Sequence, residues 1–266
     1  MQTTFGRFMK RWAANRLAEF LGRRGYIVTR ARFDEDSPID LRGLLASSIE
    51  RRKARFEVLQ IGANDGVEND PIHKLVLSRG WYLCAVEPMP EPFQRLQNNY
   101  RNVRTVTCLQ CAVGHVDGET TLYTLASPRA IDDHLSSFSI DILRKHWRSI
   151  PDLEQRIKTQ TVKCLTIESV VRQSSLHEID MLQIDTEGYD YEIMKLAFRA
   201  GLFPPILAFE WQHLDRQAMW ACRCDLLKHG YRWLLSKGDV IAIKDVAGQS
   251  APEPEHGSSS ISHRNL

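Results

Sequence analysis

The stretch that decides the fold is VLQIGANDGVEND, residues 58–70. An apolar run stops at Gly62, and the next eight residues contain two Asn, two Asp, a Glu and a second Gly. A continuous apolar run suits a strand that is covered on both faces. Glycine lets the backbone turn sharply and approach a ligand closely, and Asn64 and Asp65 tolerate strained turn conformations. The stretch therefore predicts a buried strand whose carboxyl end is shaped to hold a ligand.

The rest of the chain repeats a pattern of strand followed by helix. Strands are predicted at 56–61, 81–88, 103–113, 179–184 and 206–211. Helices are predicted at about 71–79, with Pro71 at the first helical position and Gly80 just past the end, and at about 91–100, 189–200 and 214–228. This alternation predicts right-handed βαβ units and a mostly parallel sheet. A closing hairpin around Lys237-Gly238-Asp239 is unusual for a nicotinamide-binding fold. It is expected for a methyltransferase-type α/β sheet, whose last strand turns antiparallel.

Composition is that of an ordinary globular chain, with 266 residues, 43% hydrophobic and 26% charged. The formal net charge of +2 gives no electrostatic footprint of nucleic-acid binding. No apolar run approaches the roughly 20 residues that cross a bilayer, which predicts a cytoplasmic protein. The main domain is predicted over 56–246 with a lid or insertion at about 126–160, between an N-terminal basic helical extension (1–55) and a disordered tail (247–266).

Residues 1–24 form a predicted basic amphipathic helix, with six Lys or Arg against one acidic residue. Such a helix either docks on the domain or lies on an anionic membrane surface. The second reading predicts peripheral contact with the inner membrane face.

Six cysteines include the pair Cys108-x-x-Cys111. Zinc or redox chemistry is the alternative for this pair, but residues three apart on a strand face opposite sides of the sheet. Buried thiols in a reducing compartment are the better interpretation, and no metal site is predicted.

Glu87 ends the predicted strand that follows the first loop. A carboxylate in this position is placed to accept both hydrogen bonds of a ribose diol, which indicates an adenosine-containing cofactor. NAD usually requires a glycine-rich turn that presents amides to a pyrophosphate. The loop here has two glycines and adds Asp65, whose charge suits the sulfonium and ammonium groups of S-adenosyl-L-methionine (S-adenosylmethionine) instead.

Two further strand ends carry charged side chains. Asp185, Glu187 and Asp190 follow the strand at 179–184, where like charges repel and a purely structural turn gains little. The alternative is a solvated helix start whose acids favour the N-terminal dipole. Glu210 and His213 follow the strand at 206–211; His213 is either a core histidine or a polarising group or base.

These motifs resemble the FkbM-type methyltransferases, which are S-adenosylmethionine-dependent enzymes. The resemblance implies an α/β, Rossmann-like, seven-stranded class I methyltransferase sheet with helices on both faces and the last strand antiparallel. The resemblance spans about residues 56–245 and rests on IGANDG and on the run Asp185, Glu187, Gly188 and Asp190; Ser136-Ser137 resembles a small-hydroxyl stretch of the family. It implies that the first loop and the end of the next strand bind the cofactor: Gly62, Ala63, Asn64, Asp65, Gly66 and Glu87. It also implies that Cys111 and Ala112 lie near the adenine, and that Asp185 and Glu187 face the transfer site.

The resemblance implies O-methylation of a hydroxyl on a sugar, glycan or other small metabolite. A base must then take the hydroxyl proton, and the candidates are Asp185, His213 and His134, with Glu187 beside them. Three alternative functions stay open. They are a nicotinamide-dependent oxidoreductase, a non-catalytic partner protein that retains the fold, and a divalent-metal-dependent methyltransferase that uses Asp185, Glu187 and Asp190 as oxygen ligands.

Overall fold

The computed structural model describes residues 41–125, 136–144, 152–236 and 238–244. Several predicted features lie outside these residues: the basic helix at 1–24, the tail at 247–266 and the candidate base His134. In chain order, the described elements are α1 (Leu41–Glu50), β1 (Glu57–Ile61), α2 (His73–Arg79), β2 (Tyr82–Val86), α3 (Pro90–Tyr100), β3 (Val106–Leu109), β4 (Ala112–Val113), β5 (Gly118–Leu125), β6 (Ser136–Ser137), α4 (Ile140–Arg144), α5 (Leu153–Arg156), β7 (Ile157–Leu165), α6 (Ile167–Gln173), β8 (Met181–Ile184), α7 (Asp190–Arg199), β9 (Ile206–Glu210), α8 (Arg216–Lys228), β10 (Tyr231–Ser236) and β11 (Asp239–Lys244).

The main sheet has seven strands in the order β10-β11-β9-β8-β1-β2-β3. Strands β3, β2, β1, β8 and β9 pair in parallel. The last strand, β11, runs antiparallel to both of its neighbours, β9 and β10. The predicted seven-stranded sheet with an antiparallel last strand is thereby confirmed.

The central strand β1 is buried along its whole length, because both faces of the sheet are covered. Leu59 and Ile61 belong to one apolar cluster, and Val58 belongs to a second cluster on the opposite face. Side chains alternate along a strand, so the apolar residues of β1 supply both clusters. Glu57 and Gln60 interrupt the apolar sequence and are buried as well.

The predicted strand at 103–113 is wrong in one respect: it is two short strands in different sheets. β3 is the edge strand of the main sheet, whereas β4 joins a four-stranded sheet of order β4-β7-β5-β6. Pairing of β2 with β3 ends at Leu109, and Ala112 pairs with Cys164 of β7. The part of the predicted insertion that the structure describes contributes β6, α4, α5 and the start of β7.

Helix α2 begins later than the sequence predicts. Pro71 was expected at the first helical position, but the helix starts at His73. Asp70 Oδ1 accepts hydrogen bonds from the amides of Ile72 (2.7 Å) and His73 (2.9 Å), and this caps the helix start. Gly80 ends the helix in a left-handed conformation (φ 64°).

Helix α1 lies within the predicted N-terminal extension and packs on the domain. Ala46 is fully buried in one of the two main apolar clusters. The Arg42 guanidinium donates to Gln183 Oε1 (2.9 Å) and to Asp239 Oδ2 (2.6 Å), which ties α1 to strands β8 and β11. Across the residues that the structure describes, none of the helices combines the length and the hydropathy that a bilayer crossing requires.

Replacing Gly62 with Ala is expected to prevent folding or to cost more than about 3 kcal/mol, because steric strain at a special backbone position is among the largest single-mutation effects. An added Cβ would lie 1.7 Å from the Asp185 carbonyl oxygen. Gly80→Ala is the matched control: its φ is also positive but its Cβ would meet nothing within 4 Å. Left-handed strain alone costs about 1–2 kcal/mol. Urea unfolding measures both variants, and equal costs would contradict the close contact at Gly62.

Candidate active site

The carboxyl ends of β1, β2 and β8 surround a cavity of about 690 Å³, counting its open mouth. Ligands of open α/β sheets bind at this edge. The described residues that line it are Ile61, Gly62, Asn64, Glu87, Pro88, Pro92, Cys111, Ala112, Val113, Leu122, Ser136, Ser137, Phe138, Asp185, Thr186, Glu187 and Ile193.

The β1–α2 loop reaches the cavity by a close contact between two strand ends. The Asp185 amide donates to the Ile61 carbonyl (2.9 Å), and Gly62 packs directly on the Asp185 carbonyl. Asn64, in a left-handed conformation (φ 48°), lines the cavity. Only a residue without a side chain fits at Gly62, so the glycine brings the two loops together.

Glu87 is 5% exposed at the cavity wall. Its Oε2 accepts the Asn64 amide and its Oε1 accepts the Met89 amide, both at 2.9 Å. Burial raises the pKa of Glu87 to about 7, although these hydrogen bonds oppose the rise. A carboxylate offers about four lone-pair sites, so each oxygen keeps acceptor capacity for a ligand hydroxyl.

Asp185 lines the cavity directly after β8. Burial raises its pKa well above the ordinary value, and the nearby carboxylates of Asp190, Glu187, Glu210 and Asp239 raise it further. A positive ligand in the cavity would reverse part of this rise, since an opposite charge favours the ionised form. The site therefore has an unmet preference for a cation.

Asp190 belongs to the same acidic run as Asp185 but is not among the described residues that line the cavity. It is 1% exposed, and its Oδ2 accepts from Thr186 Oγ1 (3.1 Å) and the Gly188 amide (3.2 Å). Its Oδ1 accepts the Glu210 amide (3.3 Å). Burial and the charge of Glu210 raise its pKa to about 6. Asp190 holds the β8–α7 loop against β9, so its oxygens are engaged by protein groups.

His213 lies between two carboxylates. Its Nε2 is 3.4 Å from Glu187 Oε2 and 3.2 Å from Glu210 Oε2. These carboxylates raise the pKa of His213 to about 10, so at neutral pH the imidazole is protonated and unable to accept a proton. His213 is not among the described residues that line the cavity. Glu187 lines the cavity and also contacts His213. The three side chains also form a candidate set of metal ligands.

The structure brings together most of the residues that the sequence nominates. Seven of them line the cavity: Gly62, Asn64, Glu87, Cys111, Ala112, Asp185 and Glu187. Ala63, Asp65 and Gly66 are not among the described lining residues. Asp65 Oδ1 instead accepts the amides of Val67 and Glu68, both at 2.9 Å, so we assign Asp65 to the loop and not to a cationic ligand.

The sequence does not nominate several of the lining residues, among them Thr186, Phe138 and Ile193. Thr186 lies inside the acidic run and its position was the available signal. Phe138 directly follows β6, in which the Ser137 hydroxyl donates to the Glu187 carbonyl (2.9 Å). This link between the two sheets is set by tertiary packing and has no local sequence signal. Cys111 is a free thiol whose pKa burial raises to about 12.

The strand order, the antiparallel last strand and the cavity at the carboxyl ends define the class I methyltransferase fold. The sequence model of the methyltransferase FkbM domain matches residues 60–240, more than half of the chain. The chain belongs to the FkbM methyltransferase family, as the sequence predicts. No curated protein sequence is significantly similar to it.

Similar solved structures include an FkbM methyltransferase from Methylobacillus flagellatus KT (14% identity, TM-score 0.46). The alignment covers 71% of this chain and 43% of that protein. The aligned region therefore spans less than half of that protein. Others are precorrin-6y C5,15-methyltransferase from Geobacter metallireducens GS-15 (13% identity, TM-score 0.37, 76% and 87% coverage) and the N-terminal domain of human METTL16 in complex with SAH (10% identity, TM-score 0.42, 82% and 74% coverage).

Without ligand, stability is expected to fall as pH rises from about 5 to 9. Asp190 and Glu87 have folded pKa values of about 6 and about 7, above their ordinary values of 3.8 and 4.5. Between the ordinary and folded values unfolding releases protons, so higher pH favours the unfolded chain. The raised pKa of His213 acts with the same sign: its stabilisation is complete below 6.5 and is lost towards about 10.

Thermal unfolding at a series of pH values measures this dependence. His213→Gln is expected to flatten the fall above pH 6.5 and to leave the part below it. A melting temperature that rises steadily with pH over the same range would contradict the assigned shifts.

Proposed function

We propose that this protein transfers a methyl group from S-adenosylmethionine to a hydroxyl on a sugar, glycan or other small metabolite. The observation that carries the proposal is the charge of the cavity wall. Three carboxylates line it, from Glu87, Asp185 and Glu187, and no Lys, Arg or His is among the described lining residues.

This charge pattern discriminates between donors. S-adenosylmethionine carries a sulfonium and an ammonium group, and carboxylates within about 4–6 Å favour such charges. A dinucleotide would bring a pyrophosphate, which the same carboxylates repel. The lining therefore supports the methyl donor over the nicotinamide cofactor.

The remaining lining residues fit the rest of that donor. The acceptor capacity of Glu87 suits the two ribose hydroxyls. Cys111, Ala112 and Val113 are buried and apolar, which suits the adenine ring. S-adenosylmethionine supplies an electrophilic methyl carbon when bound; the chain has to place the acceptor in line with it.

Asp185 is our candidate for the group that takes the acceptor's proton. Its raised pKa makes its carboxylate a stronger base than an ordinary aspartate. The bound donor would give up its methyl group to the acceptor oxygen and leave as a neutral thioether. The Asp185 carboxylate would take the hydroxyl proton, so that a methyl ether and protonated Asp185 remain.

An aromatic pair supports a sugar-like acceptor. The rings of Phe138 and Tyr189 are 4.2 Å apart between centroids, and Phe138 lines the cavity. Aromatic faces combine apolar area with defined orientation, and a sugar ring presents an apolar C–H face to them. Residues 1–24 would add contact with an anionic membrane if the acceptor is lipid-linked.

Calorimetric titration of the full chain with S-adenosylmethionine is expected to show one site. Glu87→Gln should weaken binding by about tenfold to a hundredfold, because hydrogen bonds to a charged group contribute about 1.5–3 kcal/mol. Glu119→Gln is the matched control, since Glu119 is an exposed carboxylate on β5. Absence of binding to the folded wild type would favour a non-catalytic partner protein.

Transfer is tested with methyl-labelled S-adenosylmethionine and fractionated cell extract. Asp185→Asn should lower label incorporation by about 10²–10⁴-fold, the usual contribution of a proton-transferring group. Calorimetry on the same variant should show that the donor still binds. Incorporation at the wild-type rate would remove Asp185 from the proton-transfer role.

A further inference from the structure

We propose that Glu187, Glu210 and His213 form a site for one divalent transition-metal ion beside the cavity. One oxygen from each carboxylate and one imidazole nitrogen lie within 4.8 Å of one another. This ligand set differs from the one that the sequence suggests, because the oxygens of Asp190 are engaged by Thr186, Gly188 and Glu210.

The spacing of these atoms suits a shared ion. His213 Nε2 is 3.4 Å from Glu187 Oε2 and 3.2 Å from Glu210 Oε2. Nitrogen and oxygen ligands at 2.0–2.2 Å from one ion are about 2.9–3.5 Å from each other in tetrahedral or octahedral arrangements. Charge-assisted hydrogen bonds are usually shorter, about 2.7–2.9 Å. The imidazole nitrogen is therefore spaced from each carboxylate oxygen as one ligand is from another, and the two carboxylate oxygens lie within 4.8 Å of each other.

The three metal ligands lie at the carboxyl ends of β8 and β9, and a hydrogen bond orients Glu210. The Glu187 side chain is 27% exposed, that of Glu210 19% and that of His213 14%. Glu210 Oε1 accepts from Gln212 Nε2 (3.1 Å), which leaves Oε2 for the cluster. Orienting hydrogen bonds of this kind accompany most metal ligands.

Gly188 allows the two halves of the site to approach. A Cβ at this position would lie 2.7 Å from Ile142 Cδ1 and 3.3 Å from His213 Cβ. A larger residue would crowd both Ile142 and His213.

The donor set indicates the kind of ion. Imidazole suits Zn²⁺, Fe²⁺, Ni²⁺ and Cu²⁺, and carboxylates suit Mn²⁺, Mg²⁺ and Ca²⁺. One nitrogen and two carboxylate oxygens together favour a transition-metal ion such as Mn²⁺ or Zn²⁺. Two carboxylates also balance the charge of a divalent ion, and the ion displaces the proton that His213 carries in the metal-free chain.

The role of this ion rests on the proposed function. Three protein ligands leave open positions, and Glu187 belongs to the cavity wall as well. A metal-bound hydroxyl loses its proton more readily. An acceptor oxygen bound there would pass its proton to Asp185 and its electron pair to the methyl carbon, while the carbon–sulfur bond breaks.

The test is a titration of the full, chelator-treated chain with Mn²⁺, followed by the electron paramagnetic resonance signal of free Mn²⁺. The wild type should bind one ion, and Zn²⁺ should displace it. Glu210→Gln and His213→Gln should each weaken binding at least tenfold, whereas the control Glu119→Gln should bind as the wild type does. Circular dichroism melting selects folded variants.

A wild type that binds no Mn²⁺, or binding that both variants leave unchanged, would overturn the metal site. S-adenosylmethionine binding to the metal-free chain is measured in parallel. If that donor binds while Mn²⁺ does not, only the metal inference fails. If Mn²⁺ binds and the donor does not, the proposed function fails and the metal site stands.

Discussion

The close contact between Gly62 and the Asp185 carbonyl is the constraint on which the site depends. The Asp185 amide pairs with the Ile61 carbonyl at 2.9 Å, so the parallel pairing of β1 and β8 continues into their loops. A side chain at residue 62 would separate these loops. Their contact places Asn64 and Asp185 on one cavity wall and lets the Asn64 amide bond Glu87.

Gathering carboxylates at this edge has an electrostatic cost. Burial raises the pKa of Glu87, Asp185 and Asp190, and the charges of neighbouring acids raise those of Asp185 and Asp190 further. Backbone amides offset part of the cost at Glu87 and Asp190, and the imidazolium of His213 offsets part at Glu187 and Glu210. A cationic ligand would offset more. The arrangement resembles other functional sites, where perturbed pKa values concentrate.

The sequence predicts the main sheet well, because β1, β2, β8 and β9 are buried on both faces and are mostly apolar. The break between β3 and β4 is missed, since the apolar character continues across residues 103–113 while the chain changes sheets. The acidic run from Asp185 to Asp190 shows a second limit of prediction from the sequence. Sequence alone does not separate Asp185, which lines the cavity, from Asp190, which is engaged by the backbone; the turn between them depends on Glu187 in a left-handed conformation (φ 49°). The approach of His213 to Glu187 is likewise a tertiary contact.

The most direct test of the central claim is a crystal structure of this protein with S-adenosylhomocysteine, the neutral product of the donor. The ribose hydroxyls are expected at hydrogen-bond distance from Glu87, the adenine against Cys111 and Ala112, and the sulfur on the Asp185 side of the cavity. A ligand bound elsewhere, or one whose ribose does not contact Glu87, would contradict this assignment of the donor site.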